Sequence, residues 1–391
     1  MTPMEPARPA DRIAGFDGLR ALAFLAVFAN HKLGIPQRDA LGAVGVWTFF
    51  ALSGFLITRI LARAREEVED GRIAIWPALR RFYLRRTARI FPVYYALLSF
   101  ALILSLFIYV DNFWAREKVA YIFYATNILI ILRGGWIDGF GHLWSLAVEE
   151  QYYLLFAPLV LLLPRRWAAP LCGAMMAASL ATFVALHMAH APLIVVYVNP
   201  LVNFGLLGFG GLIGLASLKP RPGAVPAWLT GGLAQAATAA CLIAAPMALG
   251  GWLVEWLTYG PAIVLLAGLL LFQVFHGQGS WFVALLETAP LRLVGRVSYA
   301  AYLFHPFVHF STLQRVLAVG GLRLEAPHPV QLLVELAATL LLCAISWRLL
   351  ETPVMRWAAQ VNRSGPVRAT IPATGQGAAG LIGPTGGTQA S

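Results

Sequence analysis

Residues 43–61 read Ala43-Val-Gly-Val-Trp-Thr-Phe-Phe-Ala-Leu-Ser-Gly-Phe-Leu-Ile-Thr-Arg-Ile-Leu61. The only charge is Arg59, near the end. A helix that crosses the hydrocarbon core needs roughly 20 mainly apolar residues, and this stretch supplies them. Working outward, comparable stretches lie at 17–34, 90–110, 143–163, 168–189, 193–216, 227–249, 253–275, 297–318 and 330–350, with a weaker one at 119–132. The composition agrees. Of 391 residues, 59% are hydrophobic and 12% charged, against about 25% charged in a soluble domain. That balance excludes a disordered chain, a coiled coil and an ordinary cytosolic enzyme. The 12 Trp, 36 Gly and 24 Pro suit membrane helices. The three cysteines, Cys172, Cys241 and Cys343, lie far apart and form neither a disulfide scaffold nor a metal motif.

The net charge of +11 does not call for a nucleic-acid partner. Cytoplasmic loops of membrane proteins collect Arg and Lys. Suppose the N-terminus is cytoplasmic and 119–132 does not span. Then only Lys32, Arg38, Arg116, Lys118, Arg133, Arg315 and Arg323 of the 29 basic residues face outward. If 119–132 did span, Arg165, Arg166 and most later basic loops would sit outside. The reading is an all-α integral membrane protein of about ten spans with both termini cytoplasmic. Segment 119–132 is interfacial or re-entrant. Residues 1–13 form a cytoplasmic N-terminal tail, 14–357 one membrane domain, and 358–391 a disordered cytoplasmic tail rich in Gly, Pro, Thr and Ala.

Ionisable groups inside a membrane are expensive and are therefore functional candidates. The first span carries Arg20 and His31, nearly on one face and about 16 Å apart along the axis. The island Gly141-His-Leu-Trp-Ser-Leu-Ala-Val-Glu-Glu-Gln-Tyr-Tyr153 brings Glu149 and Glu150 into the outer half of the bilayer. Adjacent helical carboxylates diverge, so one of them is expected to pair with His31, fixing its tautomer and raising its basicity. Phe82-Tyr-Leu-Arg-Arg-Thr-Ala-Arg-Ile-Phe-Pro92 places Arg85, Arg86 and Arg89 where the chain enters the membrane. Arg85 and Arg89 share a helical face at i,i+4, and guanidinium forks suit phosphates. Ser298, Tyr302 and His305 mark a polar stripe on a later apolar helix. His305 and His309 are i,i+4, but no nearby carboxylate or cysteine completes a metal site, so none is expected.

These motifs together resemble the acyltransferase 3 family of membrane acyltransferases, which includes O-acetylases of bacterial surface glycans. Phe16-Asp-Gly-Leu-Arg20 followed by His31 looks like the family's Arg-x10-His motif. Phe49-Phe-Ala-Leu-Ser-Gly54 resembles its FFxxSG segment, and Arg85-Arg-Thr-Ala-Arg89 its RRxxR motif. Trp144-Ser-Leu-Ala-Val-Glu-Glu-Gln-Tyr-Tyr153 is similar to its WSLxxEEQFY block, with Tyr152 where Phe is usual. Ser298-Tyr-Ala-Ala-Tyr-Leu-Phe-His305 and Glu351-Thr-Pro353 match its SYxxYLxH and E-x-P segments. The resemblance covers residues 14–357.

The resemblance implies acyl transfer, usually from cytoplasmic acetyl-CoA, a co-substrate and not a bound cofactor, to a hydroxyl of a glycan or lipid-linked sugar. Arg20, Arg85, Arg86 and Arg89 would hold the CoA phosphates, with the pantetheine arm rising beside the first helix towards His31. His31, oriented by Glu149 or Glu150, would take the acceptor proton. Ser53, Trp144, Ser145, Tyr302 and His305 would position the acyl group or the acceptor. Besides donor and acceptor, the expected partners are membrane lipids, and the expected location is a bacterial inner membrane. Some members carry a soluble esterase-like domain after the membrane core; none is expected in this chain. The rival readings are an acyltransferase for a small-molecule or lipid acceptor, a transporter or flippase built on the buried His, Glu and Arg, and an inactive structural relative.

Overall fold

A computed structural model describes residues 12–33, 39–107, 113–137, 139–219, 225–248, 261–319 and 325–363. Every regular element among them is helical, as expected of a chain that must satisfy its backbone hydrogen bonds inside lipid. In chain order they are α1 (Phe16–Lys32), α2 (Asp39–Glu69), α3 (Ile75–Phe107), α4 (Phe113–Ile122), α5 (Thr126–Arg133), α6 (Trp144–Leu162), α7 (Ala168–Met188), α8 (Leu193–Tyr197), α9 (Pro200–Ala216), α10 (Ala227–Thr230), α11 (Gly232–Ala248), α12 (Pro261–His276), α13 (Trp281–Leu286), α14 (Ala289–Phe304), α15 (Phe310–Val319), α16 (His328–Ser346) and α17 (Thr352–Arg363). Most of both expected tails, 1–11 and 364–391, lies outside the described residues, as does 249–260, where the stretch 253–275 begins. The tail boundary moves outward. α17 runs to Arg363 and buries Ala358, so residues just past 357 are ordered helix.

Five described stretches are long and apolar enough to cross a membrane: Leu41–Glu69, Gly141–Leu162, Arg165–Met188, Leu193–Ala216 and His328–Asn362. Gly232–Ala244 and Ile263–His276 are shorter apolar helices. Large apolar side chains such as Phe100, Leu132, Leu154, Leu155, Leu341 and Leu349 are exposed on the bundle surface, the arrangement a lipid solvent favours.

Several elements differ from the expected stretches. The mixed-charge run that begins at Arg63, expected in a loop, continues α2 as far as Glu69. Its charges pair within the helix and with neighbours: Arg65 with Glu69 at 3.1 Å, Arg81 with Glu67 at 2.6 Å, and Arg165 with Glu66 at 3.1 Å. The connection shrinks to 70–74, where Gly71 takes φ 70°. Segment 119–132 is broken at Tyr124, whose φ is 51°, into the end of α4 and α5 short of its last residue. These helices have 10 and 8 residues, so each rises only about 12–15 Å. The stretch 297–318 is also broken. α14 stops at Phe304, a 3₁₀ turn covers His305–Phe307, and α15 starts at Phe310.

Close helix packing sets the frame for the site. α1 packs on α2 and α14, and α9 lies between α2 and α7. A β-carbon on Gly18 would strike the Leu286 carbonyl, and one on Gly295 the Asp17 carbonyl. Gly54 meets Leu207 backbone in the same way, and Gly210 and Gly214 meet the carbonyls of Ala51 and Phe55. Small residues thus bring helix backbones together where lipid provides no hydrophobic drive between helices.

Candidate active site

Two cavities meet inside the bundle. The first is lined by Arg20 of α1, Ser53 of α2, Arg86 and Arg89 of α3, Glu149 and Tyr153 of α6, and Tyr302 of α14. Arg20 donates to Asp17 at 3.4 Å, while Arg86 lies over the Tyr153 ring, 5.7 Å from its centroid. Arg85 departs from expectation. It is exposed, does not line this cavity, and lines a neighbouring cleft with Ile60, Ala78, Arg81 and Phe82, which Arg86 also borders. Neighbouring residues on a helix point about 100° apart. The face of α3 turned to the cavity therefore carries the i,i+3 pair Arg86 and Arg89, instead of Arg85 and Arg89.

The carboxylate of this cavity is Glu149. Tyr153 donates to Glu149 Oε2 at 3.2 Å. A tyrosine has one hydroxyl hydrogen, so Ser53 Oγ, 2.7 Å from Tyr153 Oη, is the donor in that contact. A chain Ser53–Tyr153–Glu149 results. Glu150 does not line the cavity, and its Oε1 is buried without a hydrogen-bond partner.

The second cavity has a volume of about 770 Å³ and is lined by Asn30, His31, Trp136, His142, Trp144, Tyr197, Tyr302 and His309, among others. Its aromatic wall is packed: Trp144 and Tyr197 have ring centroids 4.6 Å apart, and Trp136 and Tyr197 6.1 Å. His31 and Glu149 therefore line different cavities. His305 lies beside His31, with Nε2 3.4 Å from His31 Nδ1.

Pro306 explains this arrangement. A proline has no N–H, so it cannot satisfy the carbonyl four residues before it, that of Tyr302. His305 Nδ1 fills that position, 2.8 Å from Tyr302 O. A carbonyl only accepts, so Nδ1 of His305 carries the hydrogen and Nε2, in the neutral ring, carries a lone pair. His31 Nδ1 then faces two acceptors, His305 Nε2 and Val27 O at 2.9 Å. It carries the hydrogen, which leaves the lone pair of neutral His31 on Nε2. A backbone carbonyl and a buried histidine thus meet His31 Nδ1.

The cavities share the side chains of Val46 and Tyr302. Tyr302 Oη donates to His142 O at 2.8 Å and lies 2.8 Å from Ser145 Oγ. Ser145 lines the arginine cavity and Trp144 the histidine cavity, so this block straddles the wall. His305 and His309 do not form a helical i,i+4 pair, because the helix ends before them. Among the described residues no group of three or more side chains is placed to hold a metal ion. Tyr153 and His142 were not singled out as site residues by their sequence. Tyr153 had a signal, since it stands four residues after Glu149. Trp136 and Tyr197 had none, because only the fold brings them together.

The sequence is similar to known proteins. Peptidoglycan O-acetyltransferase OatA of Listeria monocytogenes is 28% identical over 363 residues, covering 88% of this chain and 56% of that protein. O-acetyltransferase OatA of Staphylococcus aureus is 28% identical over 374 residues, covering 88% of this chain and 57% of that protein. The chain thus spans little more than half the length of these relatives. No solved structure matches it. The model of the acyltransferase domain matches residues 13–348, which include every side chain of both cavities, and the chain belongs to that acyltransferase family.

Proposed function

We propose that the chain is an O-acyltransferase that moves an acyl group, acetyl first among the candidates, from acyl-CoA to a hydroxyl of a cell-surface glycan or lipid-linked sugar. The observation that carries the reading is the pair of cavities on a common wall. One gathers three arginines and a carboxylate, and the other gathers imidazoles and aromatic rings. Guanidinium groups suit the phosphates of CoA, and aromatic faces suit sugar rings. The name of the Listeria relative includes peptidoglycan, which supports a glycan acceptor here as well. With about ten spans and both termini cytoplasmic, the arginine cavity opens to the cytoplasm and the histidine cavity to the outside of a bacterial inner membrane.

In this reading Arg20, Arg86 and Arg89 hold the CoA phosphates, and the thioester reaches the wall formed by Val46 and Tyr302. Ser53, Tyr153 and Glu149 line its path. His31 Nε2 takes the proton of the acceptor hydroxyl. The oxygen attacks the thioester carbonyl, the C–S bond breaks, and the proton returns from His31 to the CoA sulfur. Atoms balance without a metal or redox partner.

The test is acetyl-CoA turnover by purified, detergent-solubilised protein, wild type beside His31→Ala, with CoA binding measured separately. The expected result is CoA release by wild type and a loss of about 10²–10⁴-fold in the variant with binding retained. Folded wild type that neither binds nor consumes acyl-CoA would sink the donor assignment and favour a transporter. Equal turnover by both proteins would leave the enzyme standing and remove His31 as base.

A further inference from the structure

A buried ion pair outside both cavities grips the break that carries His305. Lys32, the last residue of α1, lies 3.0 Å from Glu335 Oε2 of α16, with side chains only 5% and 11% exposed. Neither was singled out as a site residue. Lys32 Nζ also donates to Val308 O at 2.6 Å and lies 3.3 Å from His309 Nδ1. Glu335 Oε1 accepts from Phe310 N at 2.7 Å, capping the first turn of α15. The pair therefore binds the backbone on both sides of His309, immediately after the 3₁₀ turn of His305. Lys32 also adjoins His31 in sequence, so one clamp joins the two elements whose imidazoles meet.

Burying two charges is costly, and an apolar pair would serve packing alone as well or better. What an apolar pair would not supply is a donor for Val308 O and an acceptor for Phe310 N. Those groups are left over because the helix is interrupted, and the interruption is what sets His305 Nε2 against His31 Nδ1.

We propose that Lys32 and Glu335 are positioning residues, which hold the turn after α14 so that His305 fixes the tautomer of His31. The proposal rests on the reading of His31 as the base.

The experiment compares wild type with Lys32→Met, Glu335→Gln and the double variant in detergent. Each single variant leaves one buried charge without its partner and is expected to lose both thermal stability and turnover. The double variant removes both charges and is expected to regain stability and full acetyl-CoA affinity. Its kcat should remain down by about tenfold to a hundredfold, because nothing then holds Val308 O. A kcat that recovers together with stability would overturn the proposal and leave a purely structural pair.

A second measurement does not depend on activity. The rate at which diethyl pyrocarbonate modifies His31, followed by mass spectrometry, should change several-fold in the stable double variant; an unchanged rate would overturn the proposal. If wild type consumes no acyl-CoA, the functional reading fails, and the modification rate decides the clamp alone.

Discussion

The Tyr153 hydroxyl stands between a carboxylate and a serine, donating to Glu149 and accepting from Ser53. Removing that oxygen takes one donor from Glu149 and one acceptor from Ser53. Tyr153→Phe preserves the ring over which Arg86 lies, so the effect belongs to the hydroxyl. A hydrogen bond to a charged group contributes about 1.5–3 kcal/mol. The expected outcome is therefore a kcat lower by about tenfold or more, with the Kd for acetyl-CoA unchanged. A change in Kd alone would assign the hydroxyl to donor binding. The arginines give a sharper contrast. Arg86→Ala and Arg89→Ala are expected to weaken acetyl-CoA binding by about tenfold or more each. Arg85→Ala should leave it within about twofold, because that side chain does not line the arginine cavity. Isothermal titration of the three variants decides, and equal losses would mean that the cavity face of α3 is wrongly assigned. The residue types of this site were legible in the sequence: Arg20, Arg86, Arg89, Ser53, Glu149 and His31 all stood out as polar groups in apolar surroundings. Their partners were not. The choice of Arg86 over Arg85 depends on the rotation of α3, and the closeness of His305 to His31 depends on where α1 and α14 cross. Helical periodicity carries neither. One signal was present and went unread: Pro306 leaves Tyr302 O without a backbone donor, and His305 is the side chain next to it.

At the scale of elements, glycines decide which helices can approach. α2 and α9 meet where Gly54 faces Leu207 backbone and Gly210 faces the Ala51 carbonyl. Gly54→Ala places a methyl group against a carbonyl that belongs to a packed helix, so α9 must shift. The neighbouring Ser53 lines the arginine cavity, and the shift should reach it. The expected outcome is a fall in thermal unfolding temperature in detergent together with weaker turnover. Gly173→Ala in α7 is the control, since a β-carbon there meets nothing within 4 Å. Equal behaviour of the two variants would remove the close-packing argument. A different device ties the start of α1 to the end of α13. Burial pushes the Glu287 carboxyl up, but the N–H of Gly15 and the Arg12 guanidinium, each 2.6 Å away, outweigh it and hold the group below the usual carboxylate range. A lowered carboxylate stabilises the fold above its unfolded value of about 4.3. That contribution is lost as pH falls through the folded value. Glu287→Gln is therefore expected to lower stability at neutral pH and to converge with wild type in acid, as thermal scans from pH 7 to pH 3 would read. A constant offset across that range would remove the ionic contribution. The helices themselves were legible as apolar stretches. Their interruptions at Tyr124 and after Phe304 were not, because a run of apolar residues does not show where tertiary contacts replace a helical hydrogen bond.

Across the whole molecule, the loops show which ends of the helices lie together. Arg165, in the 3₁₀ turn before α7, donates its backbone N–H to Glu69 at 2.8 Å, and its side chain pairs with Glu66. Arg65 donates to Leu161 O at 2.8 Å. The α2–α3 turn and the α6–α7 turn therefore lie at one end of the bundle. That is the end to which charge asymmetry assigned the cytoplasm, and α7, a 21-residue helix, carries the chain about 30 Å away from it. The turn at 189–192 must then lie at the opposite end. The topology follows as a prediction with a direct test. In a background lacking Cys172, Cys241 and Cys343, single cysteines at Gly71 and Ala191 are exposed to a membrane-impermeant thiol reagent. In right-side-out vesicles only the Ala191→Cys protein should be labelled, and in inverted vesicles only the Gly71→Cys protein. Labelling of both from the same side would break the span count through α7. A clean exchange of the two patterns would keep the helices and reverse their orientation, so that the arginine cavity would open away from the CoA pool and the donor assignment would fall with it.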